Sequence, residues 1–165
     1  MLSQIEDSLI QRLRGSLPAD ISAAALPDAV GELVRPADGG QVYVYYAGLT
    51  GRPNPDSSGR VEMRLQLWQA MVRHRHRRAG GGLYALLDSV RMLFCGWRPA
   101  GAAGHMHLLE QSAPELLDGT WAAFMTFAAP VPNLPVPDPD AAVRLVRATW
   151  ENQPHNHGSV VEKSS

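Results

Sequence analysis

The sequence predicts an α+β protein: an antiparallel β-sheet with two main α-helices packed on one face, plus a proline-led C-terminal extension. Three observations predict it. Two stretches carry apolar residues at helical spacing. Further stretches carry β-branched, aromatic or alternating residues, and Pro130, Pro132, Pro135, Pro137 and Pro139 crowd one short segment. At 165 residues, with 45% hydrophobic and 19% charged residues, the chain is long enough to bury a proper core. A net charge of −1 gives no global bias toward nucleic acid or an anionic membrane.

The clearest helix follows Gly80-Gly81-Gly82. Leu83, Leu86, Leu87, Val90, Leu93, Phe94 and Trp97 recur at three-and-four spacing, about 100° per residue, and Gly96 with Pro99 stops the helix. So wide an apolar stripe must lie on another layer, and the flanking strands supply one. The first helix has the same logic. Ser3-Gln4-Ile5-Glu6 reads as a capping box. Leu2, Ile5, Leu9, Ile10 and Leu13 line one face, and Gly15 with Pro18 ends it.

Between the helices, Pro27 and Pro36 bracket a short strand expected at Ala29–Val34. Gly39-Gly40 then turns the chain into Gln41-Val42-Tyr43-Val44-Tyr45-Tyr46-Ala47, a strand with one buried face and tyrosines on the other. Gly48–Arg60, rich in Gly, Pro, Asn, Asp and Ser, is a long turn-forming loop. From Val61 the pattern alternates: Val61, Met63, Leu65 and Leu67 face one way, and Glu62, Arg64 and Gln66 the other. The phase shifts at Trp68 and continues through Ala70 and Val72, which predicts a bulge or a strand that leaves the main sheet. Residues 41–72 thus form a long antiparallel hairpin.

After the second helix, His105–Glu110 is a short strand, Asp118-Gly119 a turn, and Trp121–Ala129 the last strand. Trp121, Ala123, Met125 and Phe127 share one of its faces, with Phe124 opposite. This divides the chain into an α+β domain over 1–130 and an extended arm over 131–165. The arm carries a short helix at Ala141–Trp150 and a disordered tail from Glu151.

The one concentration of charge is Arg73-His74-Arg75-His76-Arg77-Arg78. It can touch phosphates, but no aromatic residue interleaves with it as base stacking would require. Its ordinary reading is a solvated strand-to-helix connection, or one that pairs with acids on a neighbouring subunit. His74/His76, His105/His107 and His155/His157 are His-x-His pairs, yet zinc takes about three or four ligands and none stands at ligand spacing. The single cysteine, Cys95, is a tolerated thiol on the polar side of its helix, and one cysteine fits a reducing compartment. No catalytic constellation is visible, so a non-enzymatic protein without cofactor or metal is expected. Met1–Arg14 carries Glu6 and Asp7 and is not read as a signal peptide. No apolar run reaches the roughly eighteen residues of a membrane span.

Several features occur together: Gln4-Ile5-Glu6-Asp7 opening the first helix, Leu83-Tyr84-Ala85-Leu86-Leu87-Asp88 opening the second, the helix end Gly96-Trp97-Arg98-Pro99, and Gly119-Thr120-Trp121 leading the closing strand. In this order they resemble the Mu-like phage tail terminator family, over roughly residues 1–130. The resemblance implies a subunit of a homo-oligomeric ring, a hexamer, that caps the head-proximal end of a tail tube. The implied partners are the tail tube protein, the head-tail connector protein and, in a contractile tail, the sheath protein. Genomic DNA would pass through the channel without sequence-specific binding, and the protein would reside in the neck of the virion after assembly in the bacterial cytoplasm. On this reading Arg73, Arg75, Arg77 and Arg78 are subunit-interface or channel candidates. Another neck or connector protein, or a small nucleic-acid-binding module using the Arg/His run, is the alternative.

Overall fold

A computed structural model describes residues 2–29, 33, 39–51 and 63–132. The order is α1 (Leu2–Ser16), β1 (Ser22–Ala25), β2 (Gly40–Thr50), β3 (Met63–His74), α2 (Leu83–Phe94), β4 (His107–Gln111), β5 (Glu115–Leu117) and β6 (Thr120–Pro132). The strands form one six-stranded sheet in the order β1-β2-β3-β6-β4, with β5 also paired to β6. Every pairing is antiparallel except that of β1 with β2. The α+β class and the long β2–β3 hairpin are as the sequence predicts. None of the described helices is long and apolar enough to cross a membrane.

Both helices bury most of the predicted stripes; Leu2 is exposed, and Leu93 and Trp97 are partly buried. Ile5, Leu9, Ile10 and Leu13 of α1 and Leu83, Leu86, Leu87, Val90 and Phe94 of α2 join one core with Val42, Val44, Trp68, Ala70, Val72, Ala123, Met125 and Phe127. Phe94 meets Phe127 edge-to-face at 5.2 Å, a geometry that adds attraction beyond area burial. Arg12 ties the helices together: its Nε donates to the Leu93 carbonyl at 2.7 Å, and its guanidinium lies 4.7 Å over the Trp97 ring. A cation at carbonyls in the last turn of α2 complements the negative end of that helix.

Five local expectations are corrected. Helix α1 begins at Leu2, which puts Ser3 inside its first turn rather than at a capping position. The parallel strand before β2 is Ser22–Ala25; most of the expected Ala29–Val34 strand lies outside the described residues. β1 is held by Val42–Val44 and by Arg14, whose Nε donates to the Ala23 carbonyl at 2.7 Å. In β3 there is no phase change. Gln66, Trp68, Ala70, Val72 and His74 all face the helices and are buried. Leu65, Leu67, Gln69 and Met71 lie on the opposite face. The bulge sits in β2 instead, at Ala47 between the Tyr46 and Gly48 pairings.

A further strand not expected from the sequence, β5, lies between β4 and the Asp118-Gly119 turn. It closes a tight hairpin on β6 in which Asp118 and Gly119 take φ of 50° and 74°, the left-handed pair that a two-residue hairpin turn favours. Finally, β6 runs past Ala129 through Pro130 and Pro132. The Pro130 carbonyl accepts from Ala103 N at 2.8 Å, so its ring nitrogen points away from the β3 ladder and removes no donor from it. Residues 52–60, the Ala141–Trp150 segment and the tail from Glu151 lie outside the described residues.

Candidate functional site

The Arg/His run is divided by its position in the fold. Arg73 and His74 are the last residues of β3 and are only 8% and 6% exposed. Arg73 pairs with Gln41 across the strand, donating from Nη1 to Oε1 at 3.2 Å. His74 lies on the helix side between Gly40 and Trp121. Close packing here needs Gly40: a Cβ at that position would stand 2.4 Å from Leu86 Cδ2 and 3.2 Å from His74 Cδ2.

His76 N donates to His74 Nδ1 at 3.0 Å, so Nδ1 is unprotonated and the neutral ring carries its proton on Nε2. Burial lowers the His74 pKa, with a further push from His76. Asp20 acts the other way and is outweighed.

Beyond His74 the chain leaves the sheet, and Arg75, His76, Arg77 and Arg78 are exposed. Their backbone wraps the start of α2. The His76 carbonyl accepts from Leu83 N at 2.8 Å and the Arg77 carbonyl from Tyr84 N at 3.2 Å. These bonds satisfy helix donors that no side-chain cap reaches. The wrap requires Gly82, where a Cβ would sit 2.4 Å from the His76 carbonyl oxygen. The Arg77 guanidinium rests 4.9 Å over the Trp121 ring. Arg75, His76, Arg77, Arg78, Ala79 and Trp121 line a shallow cleft. On the other side of the turn, His74, His76 and Gly80–Gly81 line a second cleft with Pro18, Asp20 and Ile21.

Arg75, Arg77 and Arg78 therefore share one exposed turn, whereas Arg73 is built into the sheet. Trp121 was not a sequence candidate, because nothing in the run points to it. The signal that could have found it is the hairpin register, which sets Trp121 directly across from His74. His74 and His76 do not stand on one strand face; their rings are 6.0 Å apart and tilted by 50°. Among the described residues no three His, Cys, Asp or Glu side chains are grouped to hold a metal. Cys95 is exposed at the end of α2.

Two further surfaces bear on assembly. The face of the sheet opposite the helices presents Tyr43, Tyr45, Leu65, Leu67, Met71 and Phe124. A polar chain crosses it: Tyr45 Oη donates to Gln69 Oε1, and Gln69 Nε2 to Thr126 Oγ1 at 3.2 Å. Burial raises the Tyr45 pKa, which keeps that donor protonated. The two sheet edges differ. β4 and β5 form a broken edge, interrupted by a register shift at Leu109 and by Pro114, with Glu110 and Glu115 on it and Leu109, Leu116 and Leu117 exposed. At the other side, β1 and the Tyr45–Thr50 half of β2 carry no charged side chain, and no described strand pairs beyond them.

The sequence profile of the Gp37 protein family matches residues 9–152. No curated protein matches this chain. Among solved structures, a chain from the virion of a native gene transfer agent particle superposes with a TM-score of 0.51 at 13% identity, over 79% of this chain and 96% of that one. A second solved chain gives a TM-score of 0.51 at 14% identity, over 81% of this chain and 94% of the other. At such identities the likeness is one of fold. The family match covers most of the length, and the chain belongs to the Gp37 protein family.

Proposed function

We propose that this protein is a structural component of a phage or phage-like particle and acts as its tail terminator. Copies close into a ring, a hexamer, on the last ring of tail tube, end its polymerisation, and present a surface to the head connector. The observation that carries this reading is the fold shared with nearly the whole of a gene transfer agent virion chain, taken with the sequence resemblance to Mu-like tail terminators.

The geometry supplies a means. A subunit whose two sheet edges differ makes head-to-tail contacts, and such contacts close into rings when the rotation per subunit allows. The uncharged β1/β2 edge offers backbone groups for pairing. The bulged, acidic β4/β5 edge resists a continuous ladder and instead offers Leu109, Leu116 and Leu117 as side-chain contacts. The role is one of shape, with no chemical step.

Native mass measurement and negative-stain imaging of the full chain, alone and with assembled tail tubes, test the proposal. Rings of one size and tubes capped at one end are expected. Monomers that persist beside tubes, with elongation unaffected, overturn it.

A further inference from the structure

We propose that the turn between β3 and α2 is a contact site for the phosphate backbone of duplex DNA, with Arg77 and Arg78 as its principal cations. The terminator reading is used only for where such DNA comes from; the contact chemistry stands without it.

From Arg73 to Gly82 the chain contains no acid. The fold removes Arg73 and His74 from the surface and leaves Arg75, Arg77 and Arg78 exposed on one short arc. Arg75 is itself engaged within the chain, so it adds to the local field while Arg77 and Arg78 carry the contact. The arc is held by His76 N on His74 Nδ1, by Leu83 N and Tyr84 N on its carbonyls, and by the close approach at Gly82. Trp121 holds Arg77 from below, where a guanidinium stacks without losing its donors. Little freedom of the backbone, or of the Arg77 side chain, therefore remains to be lost on binding.

Duplex DNA fits this better than an acidic protein does. A duplex presents one charge per about 1.7 Å of axis, so a compact cation cluster meets phosphates in any register. A protein partner needs a desolvated apolar anchor at the centre of its interface; the Arg75–Ala79 arc itself has no large apolar side chain, Trp121 is covered by the Arg77 guanidinium, and Leu116 lies outside the cleft. The arc is also too short to carry a helix or ribbon into the major groove, so binding should ignore base sequence.

Fluorescence anisotropy of labelled duplexes of two unrelated sequences, titrated with the full chain, tests this. Equal affinity for both sequences is expected, with a fall of about 12-fold between 50 and 200 mM NaCl if Arg77 and Arg78 neutralise about two phosphates. Arg77→Ala/Arg78→Ala should abolish most binding at 50 mM, and Trp121→Leu should weaken it less. Circular dichroism melts confirm that each variant is folded. The proposal is overturned by no wild-type binding up to about 100 µM at 50 mM NaCl, by unchanged affinity in the double variant, or by equal competition from a polyglutamate peptide. Ring formation is scored on the same samples. Rings without DNA binding sink this inference and leave the terminator reading intact; DNA binding without rings or tube capping does the reverse.

Discussion

The two faces of β3 carry similar side chains and have different fates. Toward the helices, Trp68, Ala70 and Val72 are closed into the core. On the other face, Leu65 and Leu67 are equally apolar but only half-buried, beside tyrosines and a polar chain that crosses three strands. A lone sheet of a monomer usually sets polar residues on its open side. β3 departs from that pattern, with apolar residues on both of its sides. The covered face holds the core of the fold, and the open face and edges are what the proposed ring would use.

The sharpest break of that comparison is a pair of truncations. Phe127→Ala removes a fully buried ring packed on Phe94 and should cost about 3–5 kcal/mol in urea unfolding. Phe124→Ala, its neighbour-but-two on the open face, should cost about 1 kcal/mol in the isolated chain. Equal losses would show the two faces to be equally structural.

Next in size is Gly82→Ala. The added methyl meets a backbone carbonyl at 2.4 Å, so the turn must shift. We expect a loss of about 2 kcal/mol and a change in Trp121 fluorescence as Arg77 leaves its ring. Unchanged stability and fluorescence would mean that the turn is not held as described.

Smaller still is Tyr45→Phe on the open face. It leaves Gln69 Oε1 without its donor and should cost about 1 kcal/mol. No loss would show that the polar chain is solvated rather than structural.

The same contrast explains which parts of the fold were legible. Helix α2 could be read because a single covered face produces a single stripe. β3 misled because the alternation rule assumes one wet face, and Leu65 and Leu67 violate it. β1 is Ser-Ala-Ala-Ala, with no strand propensity of its own; its pairing with Val42–Val44 makes it a strand. β5 is three exposed residues fixed by the Asp118-Gly119 turn. The prolines of β6 are tolerated because their ring nitrogens face away from the ladder. The candidate site was half legible: its cations stand in a row in the sequence, but their separation into buried and exposed, and the arrival of Trp121 beneath Arg77, depend on pairing distant in the chain.

The rim where the two faces meet yields the most delicate test. His74 is buried on the helix side and must be neutral to accept from His76 N. Its folded pKa lies below the ordinary 6.5, with Asp20 and His76 the charged groups facing it. As the pH falls, the unfolded chain takes up the proton first, so unfolding becomes linked to protonation. The stability His74 contributes is therefore whole above pH 6.5, declines as the pH drops through that value, and levels off below the folded pKa. Glu6 moves the other way at more acidic pH: burial and Asp7 raise its carboxyl above 4.5, so the native state holds that proton more readily. His74→Gln keeps an acceptor for His76 N and removes the titration. Urea unfolding between pH 5.5 and 8 should show a slope in the wild type that is lost in the variant. The same slope in both would assign the linkage to another group and free His74 from its role in fixing the turn.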